Sequence, residues 1–328
     1  MWGSHVPVEG GIVVVEWPDP KPTRRGQFVV EMQWASICGS DLHAIRDGRL
    51  HPEGPTKAGY PGHEGIGVVI ESLSDEFRVG DVVLTVPRGE LGGCFAEYQL
   101  LDDDHALHLS ADTDVTHLMM AQQYGTVLFG WENFWPAELP PRAAGTAVIH
   151  GAGSAGLFFV QEALRAGFEE VICSDLNDGR LRVAGELGAT AVKIPDEDLD
   201  EIVADATKGR GADLVVDAVG TNEIRNAAIG QARRKGIVGL YGLSTAKVET
   251  LNTDEAFYRC VRLQFSVGAQ AEPGLAPFRE ALRRIEERKV RVDYCVGPIY
   301  DLASVPDAVQ CAAEQGRGAV KITVRLAG

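Results

Sequence analysis

Cys38-Gly39-Ser40-Asp41 and Gly62-His63-Glu64 gather a thiol, an imidazole and two carboxylates into two short segments. A thiolate, a neutral imidazole and one carboxylate satisfy three positions of a zinc ion and leave the fourth open, which is the pattern of a catalytic rather than a structural site. Cys38, His63 and Glu64 are therefore the candidate ligands. Asp41, three residues after the thiol, is placed to accept a hydrogen bond from His63 and orient it. Ser40 is the candidate proton relay beside the metal, and His43 the group that hands the proton to solvent. Singly, each of these residue types is commoner in a core or a polar loop than at a metal; together the odds reverse.

A second constellation lies downstream at Gly151-Ala152-Gly153-Ser154-Ala155-Gly156. It follows a strand-like run, Thr146–His150, and opens a helix near Ser154, the context in which such glycines bind a dinucleotide. Gly151 permits the tight turn, Gly153 lets backbone approach the pyrophosphate, and Gly156 lets the helix pack on the sheet. Ser154 and Ala155 sit at the helix N-terminus, where free N–H groups attract phosphate. Asp175 ends the next strand and can accept from both ribose hydroxyls, whereas a 2′-phosphate would meet like charge; NAD is expected over NADP. Arg180 could reach the ribose from the other side, and Val219, Gly242 and Leu243 are further expected cofactor contacts.

The elements that must position these residues fall into two styles. Up to about residue 120 the chain reads as short strands punctuated by Gly and Pro: 11–16, 28–32, 67–71 and 82–86. From Gly145 strands alternate with amphipathic helices: strands at 146–150, 171–174, 214–217, 236–240 and 263–267, with helices from 154 and over 179–187. That alternation predicts a doubly wound parallel sheet with helices on both faces, beside a β-rich domain. From about Val290 short strands return around a helix at 305–315, and the last run, 320–324, is expected to rejoin the N-terminal domain.

Composition narrows the function classes. With 328 residues, 45% hydrophobic and 24% charged, the chain has material for about two globular domains. A net charge of −16 disfavours nucleic acid and anionic membrane as partners. No apolar run reaches the roughly 18 residues a membrane span needs, and the start lacks the pattern of a signal peptide, so the cytoplasm is expected. The acidic run at 196–201 reads as a solvated helix start. Six cysteines without a Cys-x-x-Cys pair do not suggest a disulfide scaffold; most are expected as buried thiols.

Cys38-Gly39-Ser40-Asp41-Leu42-His43, Gly62-His63-Glu64-Gly65, Val79-Gly80-Asp81-Val82-Val83, Gly93-Cys94-Phe95-Ala96-Glu97-Tyr98 and the glycine motif occur in an order that resembles the zinc-dependent medium-chain dehydrogenase/reductase superfamily. The resemblance spans nearly the whole chain and is nearest to the alcohol and polyol dehydrogenase branches. It implies a GroES-like catalytic domain formed by residues 1–122 and 291–328, a Rossmann domain over 123–290, and an active site in the cleft between them. It also implies an alcohol as the small-molecule substrate, with hydride passing from its carbinol carbon to C4 of the nicotinamide. A homodimer or higher oligomer is expected, with 263–267 as the sheet edge that pairs between subunits.

Two departures from the family pattern bear on the metal. Pro87 to Gly92 runs almost directly to Gly93, without the four-cysteine lobe of members that carry a structural zinc, so one zinc per chain is predicted. Where members often place a further Cys or Glu, this chain has Gln122-Gln123-Tyr124-Gly125-Thr126. A neutral Gln carbonyl is a weaker ligand, and Gln122 or Gln123 would hold a zinc-bound water or face the substrate. Trp34, Tyr124 and Thr126 are candidate pocket walls, although aromatic residues there are more often core. Two alternatives stand beside this reading: a zinc-free reductase of an activated double bond, and a catalytically silent NAD-binding partner protein.

Overall fold

In the computed structural model, which describes residues 1–46, 56–88, 92–110, 114–139, 145–244 and 250–326, the chain divides into Met1–Gly125 with Gly268–Gly328, and Thr126–Val267. The segment 89–91, part of the stretch where a metal-binding lobe is missing from the sequence, lies outside the described residues.

The terminal unit begins with an antiparallel pair, β1 (Trp2–His5) and β2 (Val13–Glu16). Its organising element is β3 (Gln27–Ile37), whose Phe28, Val30, Met32 and Ile37 enter one apolar core. Helix α1 (Gly39–Arg46) follows one residue later, so Cys38 is the joint between strand and helix. Then come β4 (Glu64–Ser72), β5 (Val82–Thr85), β6 (Tyr98–Asp102) and β7 (Ala106–His108), with β3 paired to β4 and β6 and the ladder continuing through β5 to β7. Glu64 opens β4 and pairs in register with Ser36 of β3, which puts the end of one strand beside the start of the other. The short α2 (Val115–Leu118) leads into α3 (Met120–Phe134), which runs through the boundary between the units.

The inserted unit is a six-stranded sheet made of β8 (Thr146–His150), β9 (Glu170–Asp175), β10 (Thr190–Lys193), β11 (Ala212–Asp217), β12 (Ala232–Leu240) and β13 (Arg262–Phe265). Its order is β10-β9-β8-β11-β12-β13 and every pairing is parallel. Parallel strands need helical crossovers on both faces, so the central ones are continuous apolar runs; all five residues of β8 are buried. The crossovers are α4 (Ser154–Arg165), α5 (Asp178–Leu187), α6 (Leu199–Thr207), α7 (Asn222–Gln231) and α8 (Thr253–Arg259). The chain builds outward from β8 first in one direction and then in the other. Its carboxyl end is thus the switch point where α/β sheets open a crevice. The acidic run starts α6: Asp198 caps it by accepting from the Glu201 N–H at 3.1 Å.

The division into compact units falls at Gly268, whereas the sequence reading places the change of domain at 291. Helix α9 (Ala276–Glu286) packs with the terminal unit: Phe278 lies against Gly125, and Arg284 donates to the Tyr124 hydroxyl at 3.2 Å. An amphipathic helix after a parallel strand reads as one more crossover, and nothing local marks its change of partner. After α9 come β14 (Ile299–Asp301), α10 (Val305–Ala313) and β15 (Ile322–Arg325). The expected return of the last strand is observed: β15 pairs antiparallel with β3, Ile322 opposite Ile37. No helix among the described residues is long and apolar enough to cross a membrane.

Candidate active site

The register of three strands assembles the cluster in the terminal unit. Cys38 lies one step past the Ile37–Ile322 pair, which brings Lys321 level with it, and Ser36 is paired with Glu64 on the other side. One ligand atom from each of Cys38, His63 and Glu64 lies within 4.8 Å of the others. Asp41, buried in the first turn of α1, stands with Oδ1 at 2.9 Å from His63 Nδ1, and its Oδ2 accepts from the Cys38 N–H at 2.8 Å. The same carboxylate therefore orients the imidazole and braces the loop that carries the thiol, leaving Nε2 to face the cluster. Ser40 Oγ is 3.4 Å from that Nε2. His43 is half-buried on α1, three residues beyond Ser40.

Glu64 is wholly buried and held from two sides. Lys321 Nζ lies 2.6 Å from Oε2, and the Ser36 hydroxyl donates to the same oxygen. Its other oxygen, Oε1, is buried without a hydrogen-bond partner among the described residues. A buried carboxylate oxygen left bare is costly unless something electropositive meets it. Burial pushes the Glu64 carboxyl up, but the charges of Lys321 and His63 outweigh it and hold it below the usual carboxylate range. For His63, burial pulls downward, while Asp41 and Cys38 lift the imidazole well above its ordinary value. Lys321 is likewise drawn down by burial yet raised overall by Glu64 and Cys38.

These features fit a divalent cation. With His63 neutral and Cys38 ionised, the clustered charges are three anions, Cys38, Asp41 and Glu64, against the one cation of Lys321. A soft sulfur, an imidazole nitrogen and a bare carboxylate oxygen form a donor set suited to zinc.

Of the two glutamines, Gln123 reaches this cluster. Its Nε2 is 3.9 Å from Cys38 Sγ, and its Oε1 accepts from Lys321 Nζ at 3.3 Å. Gln122 is buried, and its Nε2 has no partner among the described residues. Tyr124 is buried against α9 and is core, not an open pocket wall. In the other unit, Thr126 Oγ1 lies 2.6 Å from the Tyr241 hydroxyl. Lys321 and Ser36 were missed in the sequence. Lys321 did carry a signal, as a lone cation inside the apolar run 320–324, because a lysine headed for a core needs an acid waiting there.

The glycine motif of the inserted unit occupies the turn between β8 and α4. Gly151 has φ +92°, the left-handed region that favours glycine. A Cβ on Gly156 would lie 1.7 Å from the Gly151 carbonyl oxygen, so helix and turn touch through backbone. A Cβ on Gly153 would meet nothing within 4 Å. That open space sits over the first turn of α4, whose N–H groups have no partner within the helix. Backbone donors facing an open space fit a pyrophosphate. Asp175 ends β9 beside them: Oδ2 accepts from the Ala152 N–H at 2.6 Å and Oδ1 from the Asn177 N–H at 2.8 Å. Each oxygen keeps a further lone pair for a ribose hydroxyl. Burial draws Arg180 below its ordinary value, and the charge of Asp175 partly opposes this.

The later loops are braced by Asp217, whose Oδ1 accepts from Val219 N–H at 2.9 Å and Gly220 N–H at 2.8 Å. Arg225 ties Asp217 to the carbonyl of Gly242, at 3.2 and 2.7 Å. A Cβ on Gly220 would lie 2.3 Å from the Leu243 carbonyl oxygen. Val219, Gly242 and Leu243 thus share one rim at the carboxyl ends of β11 and β12. Of the six cysteines, four are buried, Cys38 is half-buried, and Cys260 is exposed.

Comparison with known proteins agrees with both units. Residues 24–111 match the alcohol dehydrogenase GroES-like domain family, and residues 155–287 match the zinc-binding dehydrogenase family. Among curated relatives, an L-threonine 3-dehydrogenase of Bacillus subtilis (strain 168) is 27% identical over 79% of this chain and 80% of its own length. A sorbitol dehydrogenase of the same organism is 28% identical over 69% of this chain and 70% of its own. Among solved structures, the alcohol dehydrogenase TADH from Thermus sp. ATN1 superposes with a TM-score of 0.86 at 19% identity, covering all of both chains. From the two family matches, these relatives and the shared fold, it follows that the chain belongs to the zinc-dependent medium-chain dehydrogenase/reductase superfamily.

Proposed function

We propose that the protein oxidises a secondary alcohol, polyol or similarly polar alcohol reversibly, with one zinc ion per chain and NAD as hydride acceptor. The protein is an alcohol or polyol oxidoreductase. One observation carries it: a ligand atom from each of Cys38, His63 and Glu64 lies within 4.8 Å of the others, and Glu64 keeps one buried oxygen without a hydrogen-bond partner among the described residues.

Zinc, when bound, lowers the pKa of a substrate hydroxyl by Lewis acidity, and the nicotinamide accepts the hydride. Cys38, His63 and Glu64 would hold the ion, and Asp41 would keep His63 in the tautomer that presents Nε2. Lys321 and Ser36 pin one oxygen of Glu64, which would leave the other available to the metal. Ser40 takes the substrate proton and His43 delivers it to solvent. Gln123 is the neutral group beside the thiolate and is placed to hold a water there, a role the sequence left open between it and Gln122.

The Gly151–Gly156 turn and the first turn of α4 cradle the pyrophosphate, while Asp175 selects NAD through its charge. Arg180, Val219, Gly242 and Leu243 complete the cofactor contacts. A dimer paired through β13 is supported by a sheet edge with a partner on one side only, and by Phe265 and Val267, which are 60% and 89% exposed.

The test is an NAD-reduction screen over alcohols, polyols and amino alcohols, with and without chelator, on protein whose zinc content has been measured. Chelator-sensitive turnover with about one zinc per chain is expected. Retained NAD(P)H oxidation of activated double bonds at near-zero zinc would replace this reading with the zinc-free reductase. Zinc and NAD binding without turnover would favour the silent partner.

A further inference from the structure

At the amino end of the parallel sheet, opposite the glycine cradle, the inserted unit gathers cations in an acidic protein. The ladder between β11 and β12 pairs Ala212 with Ala232 but Leu214 with Ile237, so β12 advances by three more residues than β11 over the same span. The surplus is Arg233-Arg234-Lys235, looped out with Lys235 in the left-handed region at φ 61°. Arg233, Lys235, Cys260 and Arg262 line an open cavity of about 470 Å³.

The charge of this cavity is only partly balanced. Arg233 is fixed by Asp213 Oδ1 at 2.6 Å and by the Arg234 carbonyl at 2.8 Å, which sets its planar fork in advance of any ligand. Lys235 and Arg262 have no acidic partner among the described residues, although acids outnumber bases in the chain by 47 to 31. Asp213 thus offsets one cation and leaves two, the complement of a phosphate dianion. A polyanion such as nucleic acid would feel the net charge of −16 over its whole length. A small anion seated in the cavity is governed by its nearest charges, because others are screened beyond about 8 Å. From Lys235 to Leu240 the strand spans about 16 Å, so the cavity is separate from the dinucleotide cradle.

We propose that this cavity binds a small phosphate dianion, either inorganic phosphate or the phosphate of a monoester, independently of the dinucleotide. Cys260 is the exposed thiol among the six and stands in the cavity wall, where it serves as a local reporter.

The experiment follows alkylation of Cys260 by neutral iodoacetamide, read by peptide mass spectrometry on the whole protein with dinucleotide present so that the cradle is filled. Inorganic phosphate and glycerol phosphate are titrated at matched ionic strength against chloride. Slowing of Cys260 alkylation by about fivefold or more is expected with at least one of them, and the tighter of the two identifies the source. Lys235→Gly removes a cation while suiting the left-handed backbone, and Arg262→Gln removes the second at the first residue of β13. Each should raise the half-protecting concentration by about tenfold. Equal protection by chloride, no protection in the wild type, or protection unchanged in both variants overturns the proposal.

Discussion

The two candidate sites are built in opposite ways. In the terminal unit, chemistry rests on side chains from positions 36 to 321, brought level by the pairing of β3 with β4 and β15. In the inserted unit, phosphate recognition rests on the backbone of one turn and one helix start, Gly151 to Gly156, supported by Asp175 on the adjacent strand. The side-chain site stores electrostatic energy in buried charges that must be balanced across the sheet. The backbone site stores none, and depends instead on the absence of side chains. The two should therefore fail differently.

The sharpest separation is Cys38→Ala. Loss of the thiolate should abolish zinc binding and lower turnover by about a thousandfold or more, while dinucleotide affinity stays within about twofold of wild type. Zinc per chain and a fluorescence titration with NADH measure the two effects, and a parallel loss of NADH binding would end the claim that the sites are separable. Next is Lys321→Met, which strands the charge of Glu64 in a wholly buried place. Unfolding of the zinc-free variant should show a loss of about 3–5 kcal/mol, largely recovered in the double variant Lys321→Met/Glu64→Gln. No recovery would mean that Lys321 acts through packing.

The reciprocal break is Gly156→Ala, whose new Cβ would meet the Gly151 carbonyl. It should cost about 3 kcal/mol of stability and most of the dinucleotide affinity, with one zinc per chain retained by elemental analysis. A smaller change is Asp175→Ala, which should shift the NAD to NADP preference by about 10- to 100-fold, about 1–3 kcal/mol. An unchanged ratio of kcat/KM values for the two cofactors would remove Asp175 from that role.

The smallest effect is one of pH. His150, under the cradle, is buried between the Ser174 hydroxyl at 3.2 Å and Gln231 at 2.7 Å, and burial pushes its pKa below the ordinary value of 6.5. The unfolded chain then takes up the proton first as pH falls through about 6.5, so acidification destabilises the fold through this residue. Urea midpoints between neutral and mildly acidic pH should fall less steeply in His150→Gln than in the wild type.

The parallel sheet was legible because buried parallel strands have apolar centres, as at 147–149 and 214–216, and because the glycine motif names its own context. The clustered donors were legible as a candidate set because Cys38 and His63-Glu64 stand in short polar segments beside strands. The second domain boundary was not, since α9 has the same amphipathic pattern whichever unit it covers. Lys321 showed only as a lone cation in an apolar run, and its partner could not be read locally because it is set by strand pairing across almost the whole chain.

By itself, then, the sequence determined the local matters: which turns need glycine, where strands alternate with helices, and which donors are chemically able to hold a metal. Only the tertiary structure decided which of them meet. Register across a sheet is a long-range choice, made by the packing of both faces at once. That choice set Lys321 against Glu64, while the packing of α3 placed Gln123 near the thiol and Glu64 Oε1 was left without a hydrogen-bond partner among the described residues.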